Sequence, residues 1–228
     1  MKYISFCLYG DHPRYCQGMI RNAELAPVWY PGWQVLVYHD KTVPAATLQV
    51  ISILGCRLVD YSIVKDIPNK MQWRFMVNDL KDADRYIVRD ADSRLNERER
   101  DMVAEWEASK LPFHVIRDHP MHGKLTPVGG GMWGAVKGLI PSMRNLIIMY
   151  KNPDTGYGYD QEFLKNSLWP SVRRFALQHD CETPKIHPPA KIMPRKDWRF
   201  VGERFDENHN PFPDEWKAIT GVPPPVIK

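Results

Sequence analysis

The amino-acid sequence predicts an α/β fold in which helices flank a mostly parallel central sheet. Short runs of β-branched and aromatic residues alternate with longer windows of helical periodicity over about the first 180 residues. The chain has 228 residues, 43% of them hydrophobic and 25% charged, which suits one domain with a full core. Its longest apolar runs are far shorter than the roughly 20 residues that a membrane helix needs. These observations exclude membrane-spanning, fibrous and disordered classes.

The alternation of strand-like and helix-like patterns predicts five strands and four helices. We predict strands at Lys2–Tyr9, Gln34–Tyr38, Cys56–Tyr61, Tyr86–Val88 and His114–Ile116. We predict helices at Tyr15–Val28, Ala45–Leu54, Lys70–Leu80 and Glu97–Ser109, the last with Asn96 and Glu99 at capping-box spacing. Ligands of such sheets bind beyond the carboxyl ends of the strands, so candidate site residues are sought there.

The composition changes after about residue 183. Nine of the 20 prolines lie in the final 46 residues, where the apolar periodicity also stops. Aromatic residues nevertheless continue in this segment, at Trp198, Phe200, Phe205, Phe212 and Trp216. We therefore expect one domain over residues 1–182 and a Pro-rich C-terminal extension, residues 183–228, that packs on it.

Charge and cysteine content favour a cytoplasmic protein that acts on small molecules. The net charge is +4, and no run of five like charges suggests a nucleic-acid partner. The four cysteines are far apart and form no Cys-x-x-Cys pair, which predicts reduced thiols. The first ten residues have one basic residue and no signal-peptide cleavage pattern, so they are interpreted as a strand.

Two aspartates, Asp90 and Asp92, follow the predicted strand Tyr86–Val88. Residues two apart in an extended chain point the same way, so both carboxylates are available to hold Mg²⁺ or Mn²⁺ together with a substrate phosphate. The sequence does not distinguish these metals. The alternative is that both aspartates make turn or cap hydrogen bonds before the next helix.

The acidic pair is part of an ordered set of motifs. Arg89–Arg94 is preceded by Trp73–Phe75 and followed by Gly129–Gly134 and Gly158–Leu164. This set resembles glycosyltransferases of the GT-A fold over roughly residues 1–180. The resemblance implies a Rossmann-like sheet, a nucleotide-diphosphate sugar as donor, and an Asp-x-Asp motif whose divalent metal bridges the diphosphate.

Five further residues are predicted to bind the donor. Tyr9 and Asp11 after the first strand, and Asp40 after the second, fall where the resemblance places the base and ribose, although a β-turn explains the first pair equally well. Arg74 needs an anionic partner, which is either a diphosphate oxygen or one of the aspartates. Trp133 has a flat face that suits a sugar ring, unless the glycines before it form only a flexible loop.

Catalytic residues are expected at the start of a later helical window. Asp160 and Gln161 begin this window, and the resemblance places Asp160 at the anomeric carbon of the donor sugar. The alternative for Asp160 is an ordinary helix cap. Several GT-A enzymes complete the metal shell with a downstream histidine, a role for which His179 and His187 compete.

Two loops are also candidates. His119–Lys124 is predicted to contact sugar or phosphate, with surface solvation as the alternative, and a helical zinc pair is excluded by Pro120 and Gly123. The segment Asn152–Gly158 is Gly-rich and polar, as a mobile lid or acceptor loop would be.

The leading hypothesis is therefore a metal-dependent glycosyltransferase that moves a sugar from a nucleotide-diphosphate donor to the hydroxyl of a carbohydrate or other acceptor. The adjacent Asp160 and Gln161 favour retention of the anomeric configuration. A nucleotidyltransferase or phosphohydrolase using the same metal site is the first alternative. A noncatalytic module that binds nucleotide or carbohydrate is the second.

Overall fold

An eight-stranded mixed sheet forms the centre of the protein. The structure, a computed structural model, describes residues 1–122, 126–150, 156, 158–181, 190–195 and 199–221. The strands are β1 (Lys2–Leu8), β2 (Gln34–His39), β3 (Arg57–Asp60), β4 (Arg85–Val88), β5 (Phe113–Arg117), β6 (Trp133–Val136), β7 (Ala176–Asp180) and β8 (Lys191–Ile192). Their order is β3-β2-β1-β4-β6-β5-β7-β8, and all pairs are parallel except those of β6 with β4 and β5. The predicted fold class is confirmed.

Helices cover both faces of this sheet. They are α1 (Pro13–Trp29), α2 (Ala45–Ile53), α3 (Glu97–Ser109), α4 (Met143–Met149), α5 (Tyr159–Phe163), α6 (Trp169–Val172) and α7 (Pro213–Thr220). A π-helical turn, Leu164–Leu168, joins α5 to α6. Side chains of β1 alternate between two cores, with Tyr3 and Cys7 on one face and Ile4, Phe6 and Leu8 on the other. Burial of both faces is typical of parallel sheets.

The predicted strands are present with ends that differ by at most one residue, and three of the four predicted helices are α-helices. The exception is the segment Lys70–Asp79, which forms a 3₁₀ helix instead of the predicted α-helix. All residues from Gln72 to Asn78 are buried, so the segment has no exposed stripe of the kind that marks a surface α-helix.

Strand β6 is the main element that the sequence analysis missed. It is only four residues long and contains Gly134, which weakens the strand signal. Its Trp133 is fully buried, with its ring 5.4 to 5.8 Å from those of Phe75, Tyr86 and Phe113. The expectation that Trp133 forms a wall for the donor sugar was therefore wrong, because this indole belongs to the core.

The direction of β6 positions the glycine run that precedes it. Because β6 is antiparallel to β4 and β5, its first residue lies at the end of the sheet where the carboxyl ends of β4 and β5 lie. Gly129–Gly131 consequently lies beside the acidic pair that follows β4.

Described residues beyond 183 contact the first part of the chain at several points. Val201 donates its backbone N–H to Asp118 Oδ2 at 3.0 Å, and Arg98 Nη2 donates to the Met193 carbonyl at 2.8 Å. Phe200, Phe205 and Trp216 are buried. Trp198 lies outside the described residues, and the boundary at 182 stays a prediction. No helix in the described part of the chain is long and apolar enough to cross a membrane.

A hydrogen-bonded pair of buried histidines links β5, β7 and α3. His179 Nε2 lies 3.0 Å from Glu105 Oε2, and His179 Nδ1 lies 2.8 Å from His114 Nε2. If the Glu105 carboxylate accepts from Nε2–H, then Nδ1 accepts from His114, whose own Nδ1 has no partner in the described residues. Both ring nitrogens of His179 are therefore occupied, which corrects the expectation that this residue binds a metal.

This pair makes stability dependent on pH. Burial lowers the pKa of His114 well below its ordinary value, and it lowers the pKa of His179 despite the opposing Glu105 carboxylate. The unfolded histidines protonate near pH 6.5, so below that pH the unfolded state binds more protons and the folded state loses stability.

We expect the free energy of unfolding to fall between pH 7 and pH 5.5, with a slope that steepens below pH 6.5 toward a limit of about 1.4 kcal/mol per pH unit for each imidazole that stays neutral. Urea unfolding at several pH values measures this slope. His179→Gln should reduce the slope, because it removes one of the two buried imidazoles. An equal slope in the wild-type protein and in His179→Gln would contradict the assignment.

Candidate active site

A cleft of about 790 Å³ lies at the carboxyl ends of the central strands. Its lining comes from the loops after β1 and β4, the glycine run before β6, the start of α5 and the C-terminal segment 202–218. Six of the predicted site residues line it together: Tyr9, Arg74, Asp90, Asp92, Asp160 and Gln161. Four others do not line it: Asp11, Asp40, Trp133 and His179.

Arg74 connects the acidic pair to α5. Its Nη1 donates to Asp90 Oδ1, and its Nη2 donates to Asp160 Oδ2 at 2.9 Å. Arg74 and Asp160 are both buried, and the two carboxylates, despite the burial of the guanidinium, raise the pKa of Arg74 further. Of the two kinds of partner predicted for Arg74, the aspartates are the ones that it contacts in the structure.

Asp160 lies inside the first turn of α5, after Gly158 at the cap position. Asp160 is therefore not the N-cap residue of α5, which was the alternative role considered for it. Burial raises the pKa of Asp160, and the Arg74 guanidinium opposes this shift. The ion pair thus opposes the effect of burial and favours the charged form of this carboxylate.

Two glycines let the backbone approach this ion pair closely. A Cβ on Gly130 would collide with Asp160 Oδ2 and lie 2.6 Å from Arg74 Nη2. A Cβ on Gly131 would collide with the Asp90 carboxylate and lie 2.7 Å from its backbone nitrogen. The glycine run is thus packed against the charged residues, a constraint that only glycine satisfies.

Asp92 is more buried than Asp90 and has a different neighbour. Arg14 Nη2 lies 3.6 Å from Asp92 Oδ2, which is longer than a hydrogen bond. Burial raises the pKa of Asp92 to about 6, the Asp90 carboxylate adds to the shift, and Arg14 opposes it. The side chain of Asp90, by contrast, is 42% exposed to the cleft.

Helix α1 fixes the loop that carries Asp92. Asn22, in the middle of the helix, donates to the carbonyl of Ser93 at 2.8 Å and accepts from the backbone N–H of Leu95 at 3.0 Å. A Cβ on Gly18 would collide with the carbonyl of Ala91. The sequence analysis did not identify Gly18 and Asn22, although a glycine and an amide on the buried face of an amphipathic helix are a usable signal.

The C-terminal segment forms part of the cleft wall beside the acidic loop. The Phe205 backbone N–H donates to the Asp92 carbonyl at 2.9 Å. Gly202, Arg204 and Glu215 line the cleft, and Arg204 Nε donates to Glu215 Oε1 at 2.5 Å. The sequence predicted that this segment docks, but it did not predict that the segment borders the site.

Tyr9 and Asp11, which are also predicted to bind the donor, differ in their position relative to the cleft. Tyr9 lines the cleft, with its ring centroid 6.3 Å from that of Trp73. Gly10 adopts a φ of +74° in the turn before α1, where Asp11 is exposed, so a nucleotide contact from Asp11 stays a prediction.

Asp40 has a structural role instead. It is buried and accepts from Lys70 Nζ at 2.6 Å and from the Thr42 N–H at 3.0 Å. The Thr42 hydroxyl in turn accepts from the Gly10 N–H at 2.6 Å. Although burial opposes it, the Lys70 and Thr42 hydrogen bonds lower the pKa of Asp40. The Asp40 carboxylate thus joins the ends of β1 and β2 and does not line the cleft, so a nucleotide contact from Asp40 stays a prediction.

The histidine loop contributes to the cleft wall. His119 accepts from the Met121 N–H at 3.1 Å and donates Nε2–H to the Glu215 carbonyl at 3.0 Å. Burial lowers the pKa of His122 to about 3, and His119 adds to this shift, so the His122 imidazole is neutral. Lys124, His187 and residues 152–155 and 157 lie outside the described residues.

The acidic pair fits a hard divalent cation. Asp90 and Asp92 supply carboxylate oxygens on one cleft wall, and Mg²⁺ or Mn²⁺ typically takes one or two carboxylates plus water and substrate phosphates. Within the described ranges, no cluster of three or more His, Cys, Asp or Glu side chains is arranged to hold a metal. Two carboxylates are a number that Mg²⁺ or Mn²⁺ commonly takes from a protein, so the acidic pair fits such an ion.

We expect Gly130→Ala to lower the free energy of unfolding by about 1–3 kcal/mol, because the added methyl group overlaps the buried Arg74–Asp160 ion pair. Gly129→Ala is the matched control, since its methyl group would meet only the flexible Met132 side chain, at 3.2 Å. Urea denaturation measures both variants. Equal destabilisation by the two substitutions would show that Gly130 is not specially constrained.

Neither a protein-family model nor a curated protein sequence matches this chain. Solved structures do match. A glycosyltransferase involved in the glycosylation of the major capsid of PBCV-1 is 11% identical, with a TM-score of 0.51 over 79% of this chain and 81% of that one.

Two other structures align less completely. The mannosyltransferase PcManGT from Pyrobaculum calidifontis, in complex with GDP-Man and Mn²⁺, is 13% identical over 86% of this chain and 57% of that one, with a TM-score of 0.47. Mannosyl-3-phosphoglycerate synthase from Rubrobacter xylanophilus is 16% identical over 60% and 53%, with a TM-score of 0.43. At these identities a likeness establishes the fold alone, and the first of the three, together with the strand order, shows that this chain has the GT-A glycosyltransferase fold.

Proposed function

We propose that the protein transfers a sugar from a nucleotide-diphosphate donor to a hydroxyl acceptor in this cleft. The observation that carries the proposal is the convergence of a carboxylate pair after β4 and a buried carboxylate on α5, joined through Arg74. The PcManGT complex with GDP-Man and Mn²⁺ is compatible with this chemistry.

Asp90 and Asp92 would hold the divalent cation. When bound, Mn²⁺ or Mg²⁺ would stabilise the negative charge that develops on the departing diphosphate. Arg74 holds Asp90 in place from the buried side, while the rest of the Asp90 side chain faces the cleft. The chain thus prepares the metal site by orienting a carboxylate in advance.

Asp160 and Gln161 are proposed to act at the reacting carbon. The Arg74 hydrogen bond fixes Asp160, and Gln161 lines the same part of the cleft. A fixed negative charge there would stabilise the positive charge that forms at the anomeric carbon. We propose retention of configuration on this basis, with the acceptor entering beside the wall formed by Arg204 and Glu215.

A thermal-shift screen of UDP-, GDP-, ADP- and CDP-sugars with and without Mn²⁺ tests donor binding, because a bound ligand stabilises the folded state. Product analysis then identifies the reaction. Release of a nucleoside diphosphate supports sugar transfer, whereas release of pyrophosphate indicates nucleotidyl transfer. Binding of a nucleotide sugar without formation of any product would indicate a noncatalytic binding module.

We expect Asp92→Asn to weaken Mn²⁺-dependent nucleotide binding by more than tenfold, because it removes a charged ligand without changing the shape of the site. Isothermal titration calorimetry measures the affinity. Asp101→Asn, on the outer part of α3, is the control and should bind like wild type. Unchanged affinity and metal dependence in Asp92→Asn would refute the metal-ligand role.

We expect Asp160→Asn to lower kcat by about 10²–10⁴-fold while the donor affinity changes little, because the charge acts mainly in the transition state. Glu162→Gln, two residues along the same helix and exposed, is the matched control. NMR of the new glycosidic linkage reports the stereochemistry. Wild-type turnover by Asp160→Asn would show that this residue takes no part in the reaction.

A further inference from the structure

Arg14 projects into the cleft from the first turn of α1. Its guanidinium carbon lies 4.5 Å from the ring centroid of Tyr15 and 5.6 Å from that of Phe212 in the C-terminal segment. The side chain is 21% exposed. Two aromatic rings therefore hold the guanidinium in position while part of it faces the cleft.

Three arginines line the cleft in the described part of the chain, and they differ in how their charge is used. Arg74 donates to two carboxylates, and Arg204 donates to Glu215. Arg14 donates to the Tyr15 hydroxyl, and its nearest carboxylate, Asp92, lies at 3.6 Å. Its buried Nε has no hydrogen-bond partner among the described residues.

A buried guanidinium N–H without a partner is unfavourable, and a planar fork of N–H donors suits a phosphate group. The position of Arg14 beside Asp92 determines which phosphate it can reach. A diphosphate that shares a metal with Asp92 would lie next to this guanidinium.

We infer that Arg14 binds a phosphoryl oxygen of the donor diphosphate and competes with the divalent cation for Asp92 until that diphosphate arrives. The inference rests on the proposed function and extends it. Without ligand, Arg14 is the arginine that lies within 4 Å of the Asp92 carboxylate among the described residues. A metal at Asp92 places two positive groups side by side, and the diphosphate relieves their repulsion by binding both. Metal and diphosphate therefore bind cooperatively through Arg14.

The test compares Arg14→Gln with Arg21→Gln, a matched control on the exposed side of the same helix, where Arg21 pairs with Glu24. Mn²⁺ alone is titrated first, followed by UDP, GDP, ADP and CDP at saturating Mn²⁺. Arg14→Gln should bind Mn²⁺ alone about threefold or more tightly, because a neighbouring positive charge is gone. It should bind the preferred nucleoside diphosphate roughly 10- to 100-fold more weakly, because a charge-assisted hydrogen bond is lost.

The opposite signs of the two effects identify the role. Weakening of both affinities would overturn the inference, because it would show that Arg14 only maintains the shape of the site. No change in either affinity would overturn it as well. Arg14→Lys keeps the charge but not the planar fork, so it should bind Mn²⁺ like wild type and the diphosphate with an intermediate affinity.

Failure of the proposed function gives a different pattern. If the wild-type protein binds Mn²⁺ but none of the four diphosphates, the proposed function and the phosphate contact both fail. The Mn²⁺ affinity of Arg14→Gln then shows separately whether Arg14 competes with the cation for Asp92. If Arg14→Gln unfolds, the Arg14→Lys diphosphate affinity decides the phosphate contact, with wild-type affinity overturning it.

Discussion

The ion pairs of the buried Arg74 guanidinium determine the geometry of the candidate site. Its carboxylate partners lie 16 and 86 residues away along the chain. A buried guanidinium requires anionic partners, so the end of β4 and the first turn of α5 must meet at this residue. Gly130 and Gly131 permit the meeting, because any side chain there would occupy the space of the carboxylates. The same contacts that stabilise the interior thus orient Asp90 and Asp160 before any ligand binds.

A second set of contacts holds the acidic loop from both sides. Asn22 binds the loop backbone from α1, and Phe205 binds the Asp92 carbonyl from the C-terminal segment. Backbone hydrogen bonds of this kind fix the loop without using the carboxylates. The Asp92 backbone is therefore held while its side chain, with Arg14 3.6 Å away, can exchange that neighbour for a cation, which is the arrangement that a preorganised metal site needs.

The sequence predicted the parts of this molecule that have a local signal. Period-two and helical patterns located five of the eight strands and three of the seven α-helices of the described residues, and the position of Asp90 and Asp92 after β4 located the cleft. Trp133 and His179 were misassigned because their roles depend on partners distant in the chain, namely three aromatic rings for Trp133, and His114 with Glu105 for His179. Arg14 was missed for the same reason. Local periodicity carries no information about such contacts, and an aromatic or a histidine near a motif looks the same in either role.

The hydrogen bond between Phe205 and Asp92 has a consequence for synthesis on the ribosome. The strands β1 to β7 are complete once residue 180 has been made, but the wall that includes Gly202, Arg204 and Glu215 is not. At about 5–20 residues per second, the remaining chain emerges seconds later, after much of the sheet has been able to pair. The cleft is therefore enclosed last. A nascent chain arrested near residue 180 would already contain every acidic residue proposed for the reaction, with the Asp92 carbonyl still exposed to water.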